Sequence, residues 1–219
     1  MRVSTREAGA TSPREAKQRL LEAAGEVFAA QGFQNATVRD ICRRAGTNVA
    51  AVNYYFRGKR ELYAAVLSYA YECALKAHPG DWSPTAGPPE RRLRAFVGSL
   101  LGRVLDEGRR AWHGKLMARE MMQPTPALDA LVAERIGPMF EALRSIIREL
   151  LGPGARPDAV RLCAFSVVGQ CLHYHHARPV VVRLYPAQRY RATDIARLAD
   201  HITRFSLAAM HGLRRYRSA

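Results

Sequence analysis

Apolar residues at three- and four-residue intervals, cut at short distances by glycine, constrain the fold of this chain more than any other feature. The first such series predicts a helix over residues 14–31, and Gly32 is its predicted stop. This helix would bury a face made of Leu20, Leu21, Ala24, Val27 and Phe28. A second helix begins after Thr37, an N-cap candidate with Asp40 three positions on, and ends at Gly46 after barely two turns. The chain therefore opens as a small packed group of helices.

A third short helix follows the glycine turn, at about residues 48–55, with Asn48 or Thr47 as its cap. Its predicted inward side chains are Val49, Val52 and Phe56. Its predicted outward side chains are Asn48, Ala51, Asn53 and Tyr55. Because Tyr55 lies one turn after Ala51, we place Tyr55 outward and Tyr54 nearer the core.

The rest of the chain is also predicted to be helical. Lys59 opens a fourth, longer helix to about residue 76, and the proline- and glycine-rich residues 78–89 form a domain boundary or a long loop. Further helices are predicted at about 88–107, 110–122, 125–151, 157–178 and 193–213. Residues 178–186, "RPVVVRLYP", are predicted to be an extended connection, since an isolated strand would have no partner. The fold class is all-α.

The charge is strongly positive, with 34 basic and 19 acidic residues and a net charge of +15. Such an excess favours a polyanionic partner, either nucleic acid or an anionic membrane surface. Four cysteines without C-x-x-C spacing indicate neither a zinc ribbon nor a disulfide framework, and no run approaches the ~18 apolar residues of a membrane span. We expect a soluble, cytoplasmic protein with no metal or cofactor and no membrane partner.

Two short helices joined by a glycine turn are the plan of a helix-turn-helix. The major groove of DNA accepts one α-helix, and the preceding helix crosses the backbone and holds it there. Arg39 and Arg43 lie on the exposed side of the second helix, where they can meet phosphates. Asn48 and Asn53 can bond either to bases or to phosphate oxygens, because an amide both donates and accepts.

The chain resembles the DNA-binding domain of TetR/AcrR-type transcriptional regulators over about 50 residues. The resemblance lies in "TVRDICRRAGTNVAAVNYYFRGKRELYAAVL" (37–67) and extends back through residues 16–37. The resemblance implies phosphate-positioning roles for Thr37 and Arg39, and a backbone-contacting role for Lys59. It implies groove positions for Thr47, Asn48 and Ala51, and aromatic positions for Tyr54 and Tyr55. Position 53 is commonly Tyr in the family and is Asn here, so we predict that Asn53 reads a base.

The resemblance sets the domain boundaries. The helix-turn-helix domain is predicted at 13–60, helix 4 (59–76) connects, and a helical ligand-binding and dimerisation domain follows at 77–219. "MAREMMQPTPALDALV" (117–132) and "FSVVGQC" (165–171) resemble the subgroup of regulators similar to CecR, which implies a pocket for a small-molecule effector. The candidate lining residues are Trp112, Met117, Met121, Phe140, Cys171 and His175, although methionines at helical spacing are more often part of a plain core.

Two long apolar stripes predict an interface between two copies of the chain. One runs through Ile195, Leu198, Ile202, Phe205 and Ala209; the other runs through Val160, Cys163 or Ala164, Val167 and Cys171. Helices near 157–178 and 193–213 would then pair as a four-helix bundle in a homodimer that reads a palindromic operator. The alternative is that these stripes close the core of a single subunit.

Two other classes of function compete with a dimeric, ligand-responsive repressor. "CLHYHHARP" (171–179) places three histidines together, which allows a metal site, a ligand or partner contact, an all-α enzyme that uses His173–His176 with Glu120, or simply ordinary polar helix positions. The sequence has no G-x-S-x-G, H-E-x-x-H or phosphate-loop motif, so we predict that the protein is not an enzyme. A nonspecific nucleic-acid or membrane-surface protein would bind through charge alone, without sequence preference.

Overall fold

The structure, a computed structural model, describes residues 12–105 and 111–216. The described chain contains α1 Pro13–Asn35, α2 Val38–Ala45, α3 Val49–Phe56, α4 Lys59–Ala77, α5 Pro89–Leu105, α6 Ala111–Met122, α7 Ala127–Leu131, a π-helical turn Val132–Ile136, α8 Gly137–Leu151, α9 Pro157–His176, α10 Arg178–Leu184 and α11 Ala192–Tyr216. The all-α prediction is confirmed. The predicted helix ends at residues 107 and 110 lie outside the described residues.

The chain forms two compact units whose limits differ from the predicted boundaries. The first unit runs to Ala70 and also includes Lys115–Asp129, a segment we assigned to the C-terminal domain. The second unit contains Tyr71–Gly114 and the chain from Ala130 onward. Sequence periodicity assigns a residue to a helix, but only tertiary packing decides which unit that helix joins.

The core of the first unit forms where α1 packs with α2 and α4. The predicted inward face of α1 is buried throughout, and Phe28 and Phe33 contact the ring of Tyr63 with centroid separations of 4.8 and 4.9 Å. Gly32 breaks the helical backbone with φ 80° and ψ 168°, as predicted, but helical structure resumes to Asn35. A Cβ at Gly32 would lie 2.5 Å from the guanidinium of Arg119, which can move aside, so it is the backbone angle that requires glycine there.

A buried carboxylate ties α6 into this unit. Glu120 is fully buried; one of its oxygens accepts from the Tyr63 hydroxyl at 2.7 Å, and the other accepts from the Thr125 backbone N–H at 2.8 Å and hydroxyl at 2.9 Å. Burial raises the pKa of Tyr63, and the hydrogen bond to Glu120 raises it further, so at neutral pH Tyr63 keeps the proton that it donates. These contacts explain why Lys115–Asp129 belongs to the first unit.

The second unit has one continuous apolar core, built from α5, α8, α9 and α11. The π-helical turn interrupts what the sequence predicted as one helix over 125–151. Pro138 has no N–H for the normal helical bond, and the Gly137 N–H bonds to the carbonyl of Val132 five residues back. The prediction of an unbroken helix was therefore wrong at the position where proline removes a donor.

The predicted extended connection at 178–186 was also wrong, because α10 occupies Arg178–Leu184. Pro179 lies in the first turn, where its missing N–H costs no helical hydrogen bond. Three consecutive valines lower helix propensity only slightly, and the Val180 and Val181 N–H groups both bond to the Ala177 carbonyl.

The apolar stripes assigned to an interface largely close the core of one subunit. Val160, Ala164, Val167 and Cys171 are all buried, as are Leu198 and Ile202. The buried face of α11 also includes Ala199, Thr203, Ser206 and Met210. The buried face shares Leu198 and Ile202 with the predicted stripe but is rotated around the helix relative to it. Phe205 therefore lies at the edge of the buried face and is 60% exposed. Leu162 and Phe165 on α9 and Leu213 on α11 are exposed as well.

We predict that Glu120→Ala lowers the unfolding free energy of the first unit by about 2–3 kcal/mol, because it leaves the buried donors of Tyr63 and Thr125 without an acceptor. Glu120→Gln keeps an acceptor and should cost less. Urea unfolding followed by circular dichroism measures both variants, with the exposed Glu134→Ala as the control. Equal losses for Glu120→Ala and Glu134→Ala would contradict the role of this carboxylate.

Candidate nucleic-acid interface

The helix-turn-helix is defined by two side-chain caps and one left-handed glycine. The Thr37 hydroxyl accepts from the Asp40 N–H at 3.1 Å and starts α2, and Gly46 ends α2 with φ 64°. The Asn48 side-chain oxygen accepts from the Ala51 N–H at 3.1 Å and starts α3. The choice between Asn48 and Thr47 as the cap of α3 is thereby decided for Asn48.

Two buried residues hold α3 against the first unit. Val52 is fully buried and Phe56 is 6% exposed, and their four-residue spacing places them on one face. The opposite face carries exposed residues in a continuous strip, which we call the α3 strip: Ala50, Asn53, Tyr54 and Arg57. Their spacing of three, four and seven residues is that of one helical face, so the α3 strip is the surface that α3 can present to a groove.

The predicted division of the two tyrosines is reversed. Tyr54 is 81% exposed, whereas Tyr55 is half-buried and packs edge-on against Tyr54 at 4.9 Å between ring centroids. Tyr54 stands about 200° around the helix from Val52, but Tyr55 stands only about 60° from it. The prediction measured Tyr55 from Ala51, which is itself half-buried. Val49 was also misplaced: it is 43% exposed at the first position of the helix.

The three arginines of α2 differ in how far they are engaged by carboxylates. Arg43 pairs with Asp40, and Arg44 pairs with Glu26. Arg39 is exposed and has no carboxylate partner among the described residues. An unpaired, fully hydrated guanidinium can move to a phosphate without breaking an ion pair, so Arg39 is the arginine of α2 best suited to that contact.

Lys59 is more deeply engaged than the sequence indicated. Its ammonium donates to the Gln34 carbonyl at 3.2 Å and stands 4.7 Å from the centroid of the Phe33 ring. Partial burial lowers the pKa of Lys59. Lys59 therefore ties the start of α4 to the end of α1, a role in addition to the predicted contact with the DNA backbone.

Arg57 is a candidate that the sequence analysis missed. It caps the C-terminus of α3 in the left-handed conformation, with φ 60°, and is exposed beside Tyr54 on the α3 strip. Left-handed backbone favours glycine, so an arginine there carries a conformational cost. The sequence does contain a signal for Arg57, because it is the one basic residue at the end of a helical face that carries no other charge.

Two family models match the chain. The model described as "Bacterial regulatory proteins, tetR family" matches residues 20–66, which contain α2 and α3. The model described as "HTH-type transcriptional dual regulator CecR, C-terminal domain" matches residues 89–210, more than half of the chain. The chain belongs to the TetR family of transcriptional regulators. As a TetR-family regulator it binds DNA, and its family consists of regulators rather than enzymes.

Relatives of this TetR-family regulator span most of its length. The HTH-type transcriptional dual regulator CecR of Shigella flexneri is 26% identical over 181 residues, 77% of this chain and 79% of the relative. The HTH-type transcriptional repressor NicS of Pseudomonas putida is 27% identical over 225 residues, 97% of this chain and 100% of the relative. The structure of Bacillus subtilis FadR in complex with stearoyl-CoA has the same fold, with a TM-score of 0.65 at 15% identity over 87% of this chain and 97% of that one.

The six residues predicted to line an effector pocket fall in both units of this TetR-family regulator. Met117 and Met121 belong to the first unit; Trp112, Phe140, Cys171 and His175 belong to the second. Cys171 is fully buried in the core of the second unit, and Phe140 packs on Phe165 with 5.1 Å between ring centroids. Met121 is 44% exposed.

The histidine cluster has no metal-binding arrangement. Among the described residues there is no group of three or more His, Cys, Asp or Glu side chains that could hold a metal ion. His173 and His176 are exposed, and burial lowers the pKa of His175. A separate cavity of about 440 Å³ in the second unit is lined by the loop Gly80–Pro84 and by Arg92, Ala142 and Ser145, and by none of the predicted pocket residues.

The reversed tyrosines generate a prediction for the TetR-family regulator. Tyr54→Ala should weaken binding to a duplex that the protein recognises by about tenfold and leave the unfolding free energy within about 0.5 kcal/mol, because Tyr54 is exposed. Tyr55→Ala should lower stability by about 1 kcal/mol or more, since it removes a half-buried ring. Fluorescence anisotropy and urea unfolding measure the two effects. The opposite pattern would restore the original assignment.

Proposed function

We propose that this regulator is a dimeric repressor released from a palindromic operator by a small-molecule effector. The observation that carries the proposal is the α3 strip, a fully exposed helical face whose polar members are not used to hold the fold. The helix ends in an exposed arginine, and the preceding helix offers Arg39 to phosphates. The repressor role is supported by the name of the relative NicS, while that of CecR, a dual regulator, leaves activation as an outcome of the same experiments.

Readout of the operator would be divided along the α3 strip. Ala50 has a small side chain, which allows the helix backbone to approach base edges, and Val49, exposed beside the strip at the first position of the helix, offers a methyl surface to thymine. The amide of Asn53 can donate and accept at one base, and adenine is the base that presents the matching pair of groups. Tyr54 and Arg57 lie farther along the strip, where a hydroxyl and a guanidinium suit phosphates.

Dimerisation would use the outer faces of α9 and α11. Leu162 is 53% exposed, Phe165 is 52% exposed and Phe205 is 60% exposed, while the inner faces of the same two helices form the core. Three large apolar side chains on two packed helices are costly in water and suit an isologous contact with the same surface of a second copy. A two-fold dimer places two copies of α3 on successive half-sites, about 34–36 Å or a multiple of it apart.

An effector would act by binding one conformation of the regulator more tightly than another. The structural relative FadR was solved with stearoyl-CoA, which shows that a fold of this kind accommodates a small molecule with a long apolar chain.

A charge-driven protein at a membrane surface is the competing proposal. No helix in the described part of this chain combines the length and the apolar character that crossing a bilayer requires.

Selection from random duplexes at about 150 mM salt tests the function directly. The expected result is a palindrome, and Asn53→Ala should change the preferred base at one position of each half-site by about 1–3 kcal/mol. The matched control is Arg39→Ala, which should weaken binding about equally to all sequences. Uniform binding without a consensus would favour the charge-driven alternative, and an unchanged palindrome with Asn53→Ala would show that Asn53 does not read a base.

A second prediction concerns the dimer. Phe205→Glu places a charge on the proposed interface and should convert the dimer to a monomer at micromolar concentration, with a large loss of affinity for the two-half-site duplex. Analytical ultracentrifugation measures the mass. Arg204→Glu is the control for a charge on the exposed surface of α11. A Phe205→Glu protein that stays dimeric would move the interface elsewhere.

A further inference from the structure

Arg103 on α5 is a half-buried cation without a counter-ion among the described residues. Its guanidinium donates to the Tyr71 hydroxyl at 3.3 Å, to the Met139 thioether sulfur at 3.0 Å and to the Ser99 carbonyl at 3.4 Å. A thioether is a weak acceptor, and the carbonyl contact is long. All four residues belong to the second unit, where α5 meets the end of α4 and the start of α8.

The titratable groups near Arg103 in the described part of the chain do not neutralise it. The carboxylate next along the chain from Tyr71 is Glu72, and it pairs with Arg135 at 2.5 Å. Burial raises the pKa of the Cys171 thiol to about 12, although the positive charge of Arg103 lowers that pKa in part. This thiol is therefore uncharged at neutral pH. His175 contacts the backbone of Val104, and because burial lowers the pKa of its ring it is also uncharged at neutral pH.

Leaving a guanidinium in such surroundings is unfavourable unless an anion completes the site. Two other arginines on α5 show the usual solution: buried Arg92 pairs with Glu149, and Arg94 pairs with Asp200 at 2.6 Å. Arg103 differs from both arginines, because its two terminal nitrogens donate to a hydroxyl and a sulfur instead of a carboxylate. Met139 has a flexible side chain that can swing aside and release a guanidinium N–H.

We propose that Arg103 and Tyr71 form the head-group site for an organic carboxylate, whose apolar body packs beside Met139. The planar guanidinium donates two parallel hydrogen bonds to the carboxylate. The Tyr71 hydroxyl, which lies 3.4 Å from the Met139 sulfur in this structure, donates a third hydrogen bond to the carboxylate. Met139 also packs against the apolar core of the same unit, so the site offers both a cation and an apolar contact. This assignment rests on the proposed effector-released repressor and specifies the chemical class of its effector.

The test uses two acid and amide pairs, benzoate with benzamide and octanoate with octanamide, titrated calorimetrically into the full-length protein. The expected result is that at least one carboxylate binds and its amide binds at least about tenfold more weakly. Arg103→Gln should remove this preference and weaken carboxylate binding roughly 30-fold or more, while Tyr71→Phe should weaken it by less. Arg148→Gln, which changes an exposed arginine on α8, should leave binding unchanged.

Three results would overturn the carboxylate site: neither acid binds, an acid and its amide bind equally, or Arg103→Gln retains the preference for the acid. A merely structural role for Arg103 would lower the melting temperature of Arg103→Gln without changing the preference, so thermal unfolding is measured on the same samples. Arg103→Lys keeps the charge and should recover part of the preference.

A separate measurement distinguishes the site from the proposed function. The carboxylate that binds is added to the complex of the protein with its selected duplex, and fluorescence anisotropy follows release of the DNA. Release that depends on Arg103 supports both proposals. Binding through Arg103 without any change in DNA affinity retains the carboxylate site and overturns effector-controlled release.

Discussion

The burial of Val52 and Phe56 is the contact on which the proposed DNA-binding surface depends. These two side chains fix the rotation of α3 about its own axis, so every other residue of the helix is assigned to a face by them. Capping by Asn48 fixes where the helix begins, and the left-handed Gly46 fixes the direction in which the chain enters it. With start, direction and rotation set, the α3 strip follows without any further contact.

Helix order and caps could be predicted because they depend on local chemistry. Thr37, Gly46 and Asn48 act through bonds to residues three or four positions away, and such bonds are visible in the sequence. The rotation of α3 was predictable too, from the inward positions of Val52 and Phe56. The tyrosines were nevertheless assigned wrongly, because their angle was measured from Ala51 rather than from the two buried anchors.

Features that depend on distant residues could not be predicted in the same way. Glu120 lies in a segment with polar and apolar neighbours alike, and only the approach of Tyr63, 57 residues earlier in the chain, makes it a buried acceptor. The buried face of α11 is likewise set by the helices packed on it rather than by its own most hydrophobic line. Periodicity identifies an amphipathic helix, but two adjacent apolar lines on one helix leave open which of them meets the core.

Glu120 in the first unit and Arg103 in the second differ in how their charge is compensated, and the contrast bears on the proposed function. Glu120 has every oxygen occupied by a donor, which makes its position stable and gives the first unit a fixed connection to α6. Arg103 has acceptors but no carboxylate partner among the described residues, so a bound anion would add an ion pair there. A ligand changes a conformational equilibrium only through contacts that differ between the states. A cation without an ion-pair partner, next to a flexible methionine, can provide such a difference, whereas a fully satisfied network such as that of Glu120 does not.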